Sequence, residues 1–112
     1  MLIYEYINIA EVFMLDFNNK EKTKKILAEK AALFKNIAHP VRLCILAMLL
    51  KEEQSNVTDI QCCLDVPQPT VSQHLAKLKS AGILTAERNG TEIIYTIKNE
   101  DTKNLIIQIL EI

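Results

Sequence analysis

The stretch from Asn56 to Ala81, NVTDIQCCLDVPQPTVSQHLAKLKSA, constrains the fold of this chain more than any other feature. It holds two short helical patterns, which are separated by the turn-forming residues 65–67, Asp-Val-Pro. We predict the first helix over about residues 59–64, with the Thr58 hydroxyl as its N-cap and Asp59 favourably placed in its first turn. Its apolar face consists of Ile60, Cys63 and Leu64.

The second helix of this stretch is predicted to begin near Gln68. Pro69 is tolerated there because the amides of a first helical turn have no partner within the helix. Three apolar residues at helical spacing form its buried stripe: Val71, Leu75 and Leu78. Gly82 can end the helix by adopting a positive φ. Two short helices with a tight connection predict a helix-turn-helix.

The outward face of the second helix is polar and lacks carboxylates. It presents Gln68, Thr70, Ser72, Gln73, His74, Lys77 and Lys79. No acidic residue occurs between Asp65 and Glu87. Amides and hydroxyls near a helix N-terminus suit hydrogen bonding to base edges in a DNA major groove, and the lysines that follow suit phosphate. The alternative is a solvated polar helix with no ligand, but such a helix usually carries glutamate as well as lysine. The pattern favours DNA.

Length and charge set bounds on this interpretation. The chain has 112 residues, which is enough for one domain with a modest core. Its net charge is -1, so it does not bind nucleic acid through bulk positive charge. The charge is nevertheless uneven, since residues 66–91 carry Lys77, Lys79 and Arg88 against the single acid Glu87. A local basic patch is therefore expected.

The location of the protein is predicted from its cysteines and its amino terminus. Cys44, Cys62 and Cys63 are odd in number and lack a C-x-x-C spacing, as expected for reduced thiols. Residues 1–17 are apolar but contain acids and no lysine or arginine, so they resemble neither a signal peptide nor a membrane span. We expect a cytoplasmic protein that does not enter a membrane.

Three segments precede the helix-turn-helix. Residues 1–17 repeat apolar side chains at helical spacing and are predicted to pack against the body or a second subunit. A helix is predicted over about 20–37. His39 and Pro40 then open a nearly apolar central helix, from Val41 to about Lys51, which is followed by a loop over 52–56. Cys44 is expected in the core, and Arg42 is expected to reach either a phosphate or a carboxylate at the edge of the core.

The pattern changes period after Gly82. Residues 83–88 and 91–97 are β-prone, and Asn89-Gly90 between them is a strong signal for a two-residue hairpin turn. Arg88 and Thr91 lie beside this turn, where they are placed to enter a minor groove or to contact the DNA backbone. The alternative is that Arg88 is simply solvated.

The last segment, residues 99–112, carries an apolar helical stripe that is too extensive for a free surface. A homodimer formed by the amino-terminal helices and the last helix would cover it, and two-fold symmetry would then match an inverted-repeat DNA site. The predicted fold is mainly α with a small β-hairpin, a winged helix-turn-helix of order α-α-α-α-β-β-α. It comprises an extension over residues 1–19, expected to pack on the dimer, and a DNA-binding and dimerisation domain over 20–112.

Two motifs resemble the ArsR/SmtB family of bacterial winged-helix repressors. They are A-H-P-x-R-L-x-I-L over residues 38–46 and P-Q-P-T-V-S-Q-H-L over 67–75, and the similarity covers about residues 20–110. The resemblance implies a homodimer that blocks transcription and leaves DNA when a metal ion, metalloid or oxidant reaches it. It also implies that Gln68, Thr70, Ser72 and Gln73 meet base edges or nearby phosphates, with support from Arg88.

The chain departs from that family at the sensing sites. Metal-responsive relatives place a C-x-C pair where this chain has Asn56 and Thr58, and others place Asp and His ligands on the last helix, which has no histidine here. We therefore expect neither of the usual metal sites and no cofactor. The chain also lacks a nucleophile with an evident base and a glycine-rich phosphate loop, so no enzyme is predicted.

Two alternatives stay open. One is a thiol-responsive repressor that uses Cys62, either alone or together with Cys44, although relatives that sense oxidants pair a cysteine on the central helix with one on the last helix. Cys63 shares a face with Ile60 and is expected to be buried. The other alternative is a winged-helix module that binds protein. Salt dependence separates that module from a DNA-binding protein.

Overall fold

The computed structural model describes residues 15–112, except for the side chains of residues 62–64. In chain order the elements are α1 (Lys20–Ile37), α2 (Pro40–Glu52), β1 (Ser55–Asn56), α3 (Val57–Leu64), α4 (Gln68–Ser80), β2 (Leu84–Asn89), β3 (Glu92–Ile97) and α5 (Glu100–Leu110). These elements confirm the winged helix-turn-helix and add one short strand to the predicted order. The chain divides into two compact units, one ending at Phe34 and one covering Lys35–Ile112. The predicted boundary between residues 19 and 20 stays a prediction.

In the first unit, short-range hydrogen bonds fix the start of α1. The Asn19 side-chain oxygen accepts from the Lys22 N–H at 3.2 Å, and the Thr23 hydroxyl donates to the Asp16 carbonyl oxygen at 2.6 Å. The helix predicted over residues 20–37 is confirmed. The amphipathic segment predicted for residues 1–17 falls mainly on residues 1–14, which lie outside the described residues.

In the second unit, α2 is the central helix, as predicted. His39 is its N-cap, in an extended conformation, and its Nδ1 accepts from the Val41 N–H at 3.0 Å. The helix packs against α3, α4, α5 and β3, and its fully buried residues are Ile45, Leu46 and Leu49. The prediction that Cys44 lies in the core is wrong, because its side chain is exposed.

The segment between α2 and α3 was predicted as a loop, and this is wrong at its end. Ser55 and Asn56 form β1, which pairs antiparallel with Tyr95 and Ile94 of β3 and gives a three-stranded sheet of order β1-β3-β2. The strand sets where α3 begins. Asn56 is the N-cap, in place of the predicted Thr58, and its side-chain oxygen accepts from the Asp59 N–H at 2.9 Å.

The boundaries of α4 agree with the predicted ones. Asp65 ends α3 in the left-handed region at φ 53°, and α4 begins at Gln68 with Pro69 in its first turn. Gly82 follows the end of α4 at φ +77°, as predicted. The buried stripe is confirmed as well: Val71, Leu75 and Leu78 have no exposed surface.

The hairpin turn lies one residue later than predicted. Asn89 pairs with Glu92 across the two strands, so the two turn residues are Gly90 and Thr91. Gly90 has φ +67°, whereas Thr91 is not among the residues with positive φ. A two-residue turn with glycine first and positive φ at that position alone is typical of type II′, which matches the twist of a hairpin.

The last helix closes the core of the second unit. Asn99 caps α5, since its side-chain oxygen accepts from the Thr102 N–H at 2.8 Å. Ile106 of α5 is fully buried, and α5 packs on α2 and β3. Within residues 15–112, no single helix is long and apolar enough to cross a bilayer; α1 and α2 pass such a test only when taken together as a broken pair.

Candidate nucleic-acid interface

The outward face of α4 consists mainly of exposed polar side chains. Its exposed members are Gln68, Ser72, Gln73, Lys77 and Lys79. Thr70 and His74 are half-buried. The buried side of the helix determines which residues face outward. Because Val71, Leu75 and Leu78 point into the core, the positions between them point toward solvent. We call the exposed members, together with Thr70, the α4 polar face.

His74 has contacts with the body of the second unit. The Arg42 Nε donates to the His74 Nδ1 at 3.2 Å, and the His39 and His74 ring centroids are 4.3 Å apart with the rings tilted by 42°. Arg42 also donates from a terminal guanidinium nitrogen to the Asn36 carbonyl oxygen at 2.7 Å. His74 therefore joins α4 to the first turn of α2.

The partners of Arg42 differ from those expected. The expected carboxylate at the edge of the core is replaced by a carbonyl oxygen and an imidazole nitrogen. The planar guanidinium suits this pair because its N–H groups point in fixed, diverging directions. Contact of Arg42 with phosphate stays a prediction.

The surroundings of His74 lower the pKa of its imidazole below the usual value of 6.5. The main cause is burial, which removes water from the charged form. The neighbouring His39, Arg42 and Lys77 act in the same direction, since each opposes a positive charge on the ring. The neutral form, with Nδ1 available as an acceptor, is the one that fits the hydrogen bond from Arg42.

The hairpin adds exposed polar side chains beyond α4. Arg88 near the end of β2 and Thr91 in the turn are both exposed. Two acids lie in the same hairpin, Glu87 and Glu92, and the Glu92 carboxylate accepts from the Asn56 side-chain nitrogen at 3.1 Å. Among the hydrogen bonds of the described residues, none joins Arg88 to a carboxylate, so the hairpin presents its guanidinium to solvent.

The described residues were also searched for a metal centre. In the part of the chain the structure describes, no three His, Cys, Asp or Glu side chains come together as a metal site would require. The Asn56 side chain caps α3 and donates to the Glu92 carboxylate. The side chains of Cys62 and Cys63 lie outside the described set, so their predicted roles stay predictions.

Sequence reasoning missed the contact between Arg42 and His74. The two residues are 32 positions apart, and neither belongs to an apolar stripe whose period would bring them together. The available signal was weak: Arg42 is the only charged residue in the first turn of a nearly apolar helix, which implies a specific partner.

Comparison with known proteins agrees with this geometry. Residues 39–86 match the family described as bacterial regulatory protein, arsR family. The transcriptional repressor PagR of Bacillus anthracis is 44% identical over 80 residues, covering 71% of this chain and 80% of PagR. The repressor SmtB of Mycobacterium tuberculosis is 38% identical over 84 residues, covering 75% of this chain. The matched region spans only 62% of the length of that SmtB.

Solved structures of transcriptional repressors share the fold of this chain. The crystal structure of PagR superposes with a TM-score of 0.71 at 41% identity, covering 77% of this chain and 98% of PagR. The repressor BigR of Xylella fastidiosa superposes with a TM-score of 0.71 at 31% identity, covering 81% of this chain and 92% of BigR. The chain belongs to the ArsR/SmtB family of DNA-binding, winged helix-turn-helix transcriptional repressors.

Proposed function

We propose that this chain is a homodimeric repressor that binds an inverted-repeat operator through the α4 polar face of each copy. The observation that carries the proposal is an exposed helix face rich in amides, hydroxyls and lysines, in a sequence without a carboxylate between Asp65 and Glu87. Such a face meets a polyanion without charge repulsion and offers donors and acceptors to base edges.

The polar side chains along α4 divide into two groups by chemistry. Gln68, Ser72 and Gln73 are exposed in the first half of the helix, the end that enters the major groove in helix-turn-helix proteins. Glutamine pairs with adenine through two hydrogen bonds, while serine and threonine, here including Thr70, bond several base edges. Lys77 and Lys79, in the last turn, neutralise phosphates and so add affinity that does not depend on sequence.

The hairpin would add DNA contacts next to those made by α4. Arg88 and Thr91 are exposed beside the turn, where a guanidinium and a hydroxyl can bond backbone phosphates or enter a minor groove. The pairing of β2 with β3 places both side chains at the tip of the hairpin, Arg88 within β2 and Thr91 in the turn.

The homodimer is supported by apolar side chains that one copy leaves exposed. On and just beyond α5 these are Ile107, Ile109, Leu110 and Ile112, and on α1 they are Leu27 and Phe34. Apolar patches of this kind on a small domain usually mark an interface. A two-fold axis through such an interface would bring two α4 helices about 34 Å apart, one turn of DNA.

Regulation is proposed to be independent of the usual metal sites of the family, because Asn56 and Thr58 replace the thiolates and α5 carries no histidine. Repression is proposed to take place in the cytoplasm. A thiol response is the second candidate, favoured by one observation: Cys44 is exposed and lines an apolar groove of about 470 Å³ with residues of α2 and two isoleucines, Ile107 of α5 and Ile112. Stoichiometric peroxide would then release DNA from the wild type but not from Cys44→Ser.

The experiment that tests the proposed function is selection of bound duplexes from random DNA, followed by affinity measurements at several salt concentrations. We expect an enriched sequence with two-fold symmetry and an affinity that falls steeply as salt rises. Failure to enrich any sequence, together with salt-independent binding to a protein partner, would instead support the protein-binding module.

A further inference from the structure

The side chains of Arg42 and His74 form a contact whose chemistry depends on one proton. The Arg42 Nε lies 3.2 Å from the His74 Nδ1. An arginine nitrogen only donates, so the His74 Nδ1 must be the acceptor and its proton must lie on Nε2. Protonation of Nδ1 would put an N–H against an N–H and a cation against a cation.

This contact connects the α4 polar face to the rest of the second unit. Arg42 is half-buried in the first turn of α2, and its second hydrogen bond, to the Asn36 carbonyl oxygen at 2.7 Å, fixes the guanidinium plane. His74 directly follows Gln73, an exposed member of the α4 polar face. The hydrogen bond is therefore a second attachment of α4 to the second unit, in addition to the buried stripe.

The groups around His74 offer its charged form no compensation. His39 and Arg42 face it from the start of α2, and Lys77 faces it from α4 itself. The other elements packed on α4 are α3, which carries Asp59, and β2, which carries Glu87 and Arg88. Neither carboxylate is among the causes that shift the pKa of the His74 imidazole.

We propose that the Arg42–His74 contact positions α4 for sequence-specific DNA binding, and that protonation of His74 breaks the contact and lowers specificity. The inference rests on the proposed DNA-binding function and names a means of regulating the same site. Arg42 and His74 act here as positioning residues, since neither needs to touch a base.

The choice of readout follows from two opposing effects of the proton. A new positive charge on α4 attracts phosphate and raises affinity for any duplex. Loss of the Arg42 contact shifts Gln73 and its neighbours relative to base edges, which matters only for the cognate sequence. The ratio of the affinities for the selected operator and for a scrambled duplex cancels the first effect and reports the second.

The experiment measures this ratio in steps from about pH 8 to about pH 4.5, well below the ordinary histidine pKa, because the pKa of His74 is lowered, and circular dichroism at each step checks that the protein stays folded. We expect the wild-type ratio to fall about tenfold toward low pH, as for the loss of one good base contact. In His74→Asn, the side-chain oxygen can accept from Arg42 near the Nδ1 position and cannot titrate. The ratio of this variant, normalised to its own value at about pH 8, should stay flat.

His39→Asn is the matched control. Asparagine is a good N-cap and can accept from the Val41 N–H, so α2 should keep its start. His74 remains titratable in this variant, and the fall should persist with its midpoint at higher pH, because one opposing neighbour has been removed.

The outcomes separate the inference from the function on which it rests. Specific binding with a wild-type ratio that is constant with pH would overturn the inference and leave the proposed function intact. A pH-dependent ratio that is unchanged in His74→Asn would also overturn it. Absence of any selected operator would defeat the proposed function and the inference together.

Discussion

The Asn56 side-chain nitrogen donates to a Glu92 carboxylate oxygen at 3.1 Å, and this bond ties the start of the helix-turn-helix to the hairpin. The oxygen of the same side chain accepts from the Asp59 N–H at 2.9 Å and caps α3. One asparagine thus joins α3, the first helix of the helix-turn-helix, to β3, and its own backbone pairs with Ile94.

Replacing Asn56 is expected to destabilise the fold measurably. Asn56→Ala removes the cap and the bond to Glu92, and we expect it to lower the free energy of unfolding by about 1 kcal/mol, the usual cost of a lost N-cap. Asn56→Ser keeps a capping oxygen and should lose less than half as much. Urea unfolding measures both. Equal losses in the two variants would show that the cap contributes nothing.

Gly90 is expected to be required for its backbone conformation and not for space. A Cβ built at this position meets no atom within 4 Å, but φ is +67°. Gly90→Ala should therefore lower the free energy of unfolding by about 1 kcal/mol, because a residue with a Cβ rarely adopts a positive φ. Gly90→Asn should cost less, because asparagine is accepted more readily than alanine at the positive-φ positions of hairpin turns. Thermal unfolding of the two variants tests this order.

Helices and strands whose apolar residues repeat at a clear period could be predicted from the sequence. Their ends could be predicted where a proline or a glycine restricts the backbone. The helix over residues 20–37 and the start of α4 at Gln68 agree with the structure. Pro40 and Gly82 marked a helix start and a helix end because few backbone conformations suit proline, and few other residues adopt positive φ.

The remaining features depend on tertiary contacts that a linear pattern does not contain. Strand β1 has two residues, too few to show a period, and exists only because β3 lies beside it. Asn56 and Thr58 are both good N-cap residues. Asn56 is the cap because its pairing in β1 holds its backbone extended, so the helix begins directly after it. Cys44 lies in an apolar helix, yet the side of the helix it occupies is not covered by the described chain.

The α4 polar face was only partly predictable, because some of its surroundings depend on contacts with another helix. The exposed members of the α4 polar face follow from the helical period, as do the buried positions between them. His74 fits the same outward pattern, but its contacts with Arg42 and His39 come from another helix. Those contacts could not be read from spacing along α4.

The stability of the fold is expected to decrease at acid pH because of His74. Its pKa in the folded state lies below that of an unfolded chain, so the unfolded state binds the proton more tightly. The corresponding stability is present above about pH 6.5 and is lost as the pH falls through the folded pKa. Urea unfolding across this range should show a smaller loss for His74→Asn than for the wild type. Identical profiles would contradict the assignment.

The apolar end of α5 is expected to hold the dimer. Ile109 is 52% exposed in the single chain, so Ile109→Lys should leave the monomer fold intact and weaken association by at least tenfold. Sedimentation equilibrium measures the association. The matched control is Ile93→Lys in the hairpin, at 38% exposure, which should associate like the wild type. A dimer unaffected by Ile109→Lys would place the interface elsewhere.

The most direct test of the DNA-binding account is the affinity of Gln73→Ala/Lys77→Ala for the selected operator, measured by a shift assay at one fixed salt concentration. Its matched control is Gln54→Ala/Lys51→Ala, which removes the same residue types from exposed positions outside α4 and the hairpin. We predict that the α4 pair loses at least a hundredfold in affinity, about 3 kcal/mol, while remaining a folded dimer, and that the control binds like the wild type. Wild-type affinity of the α4 pair would contradict the account.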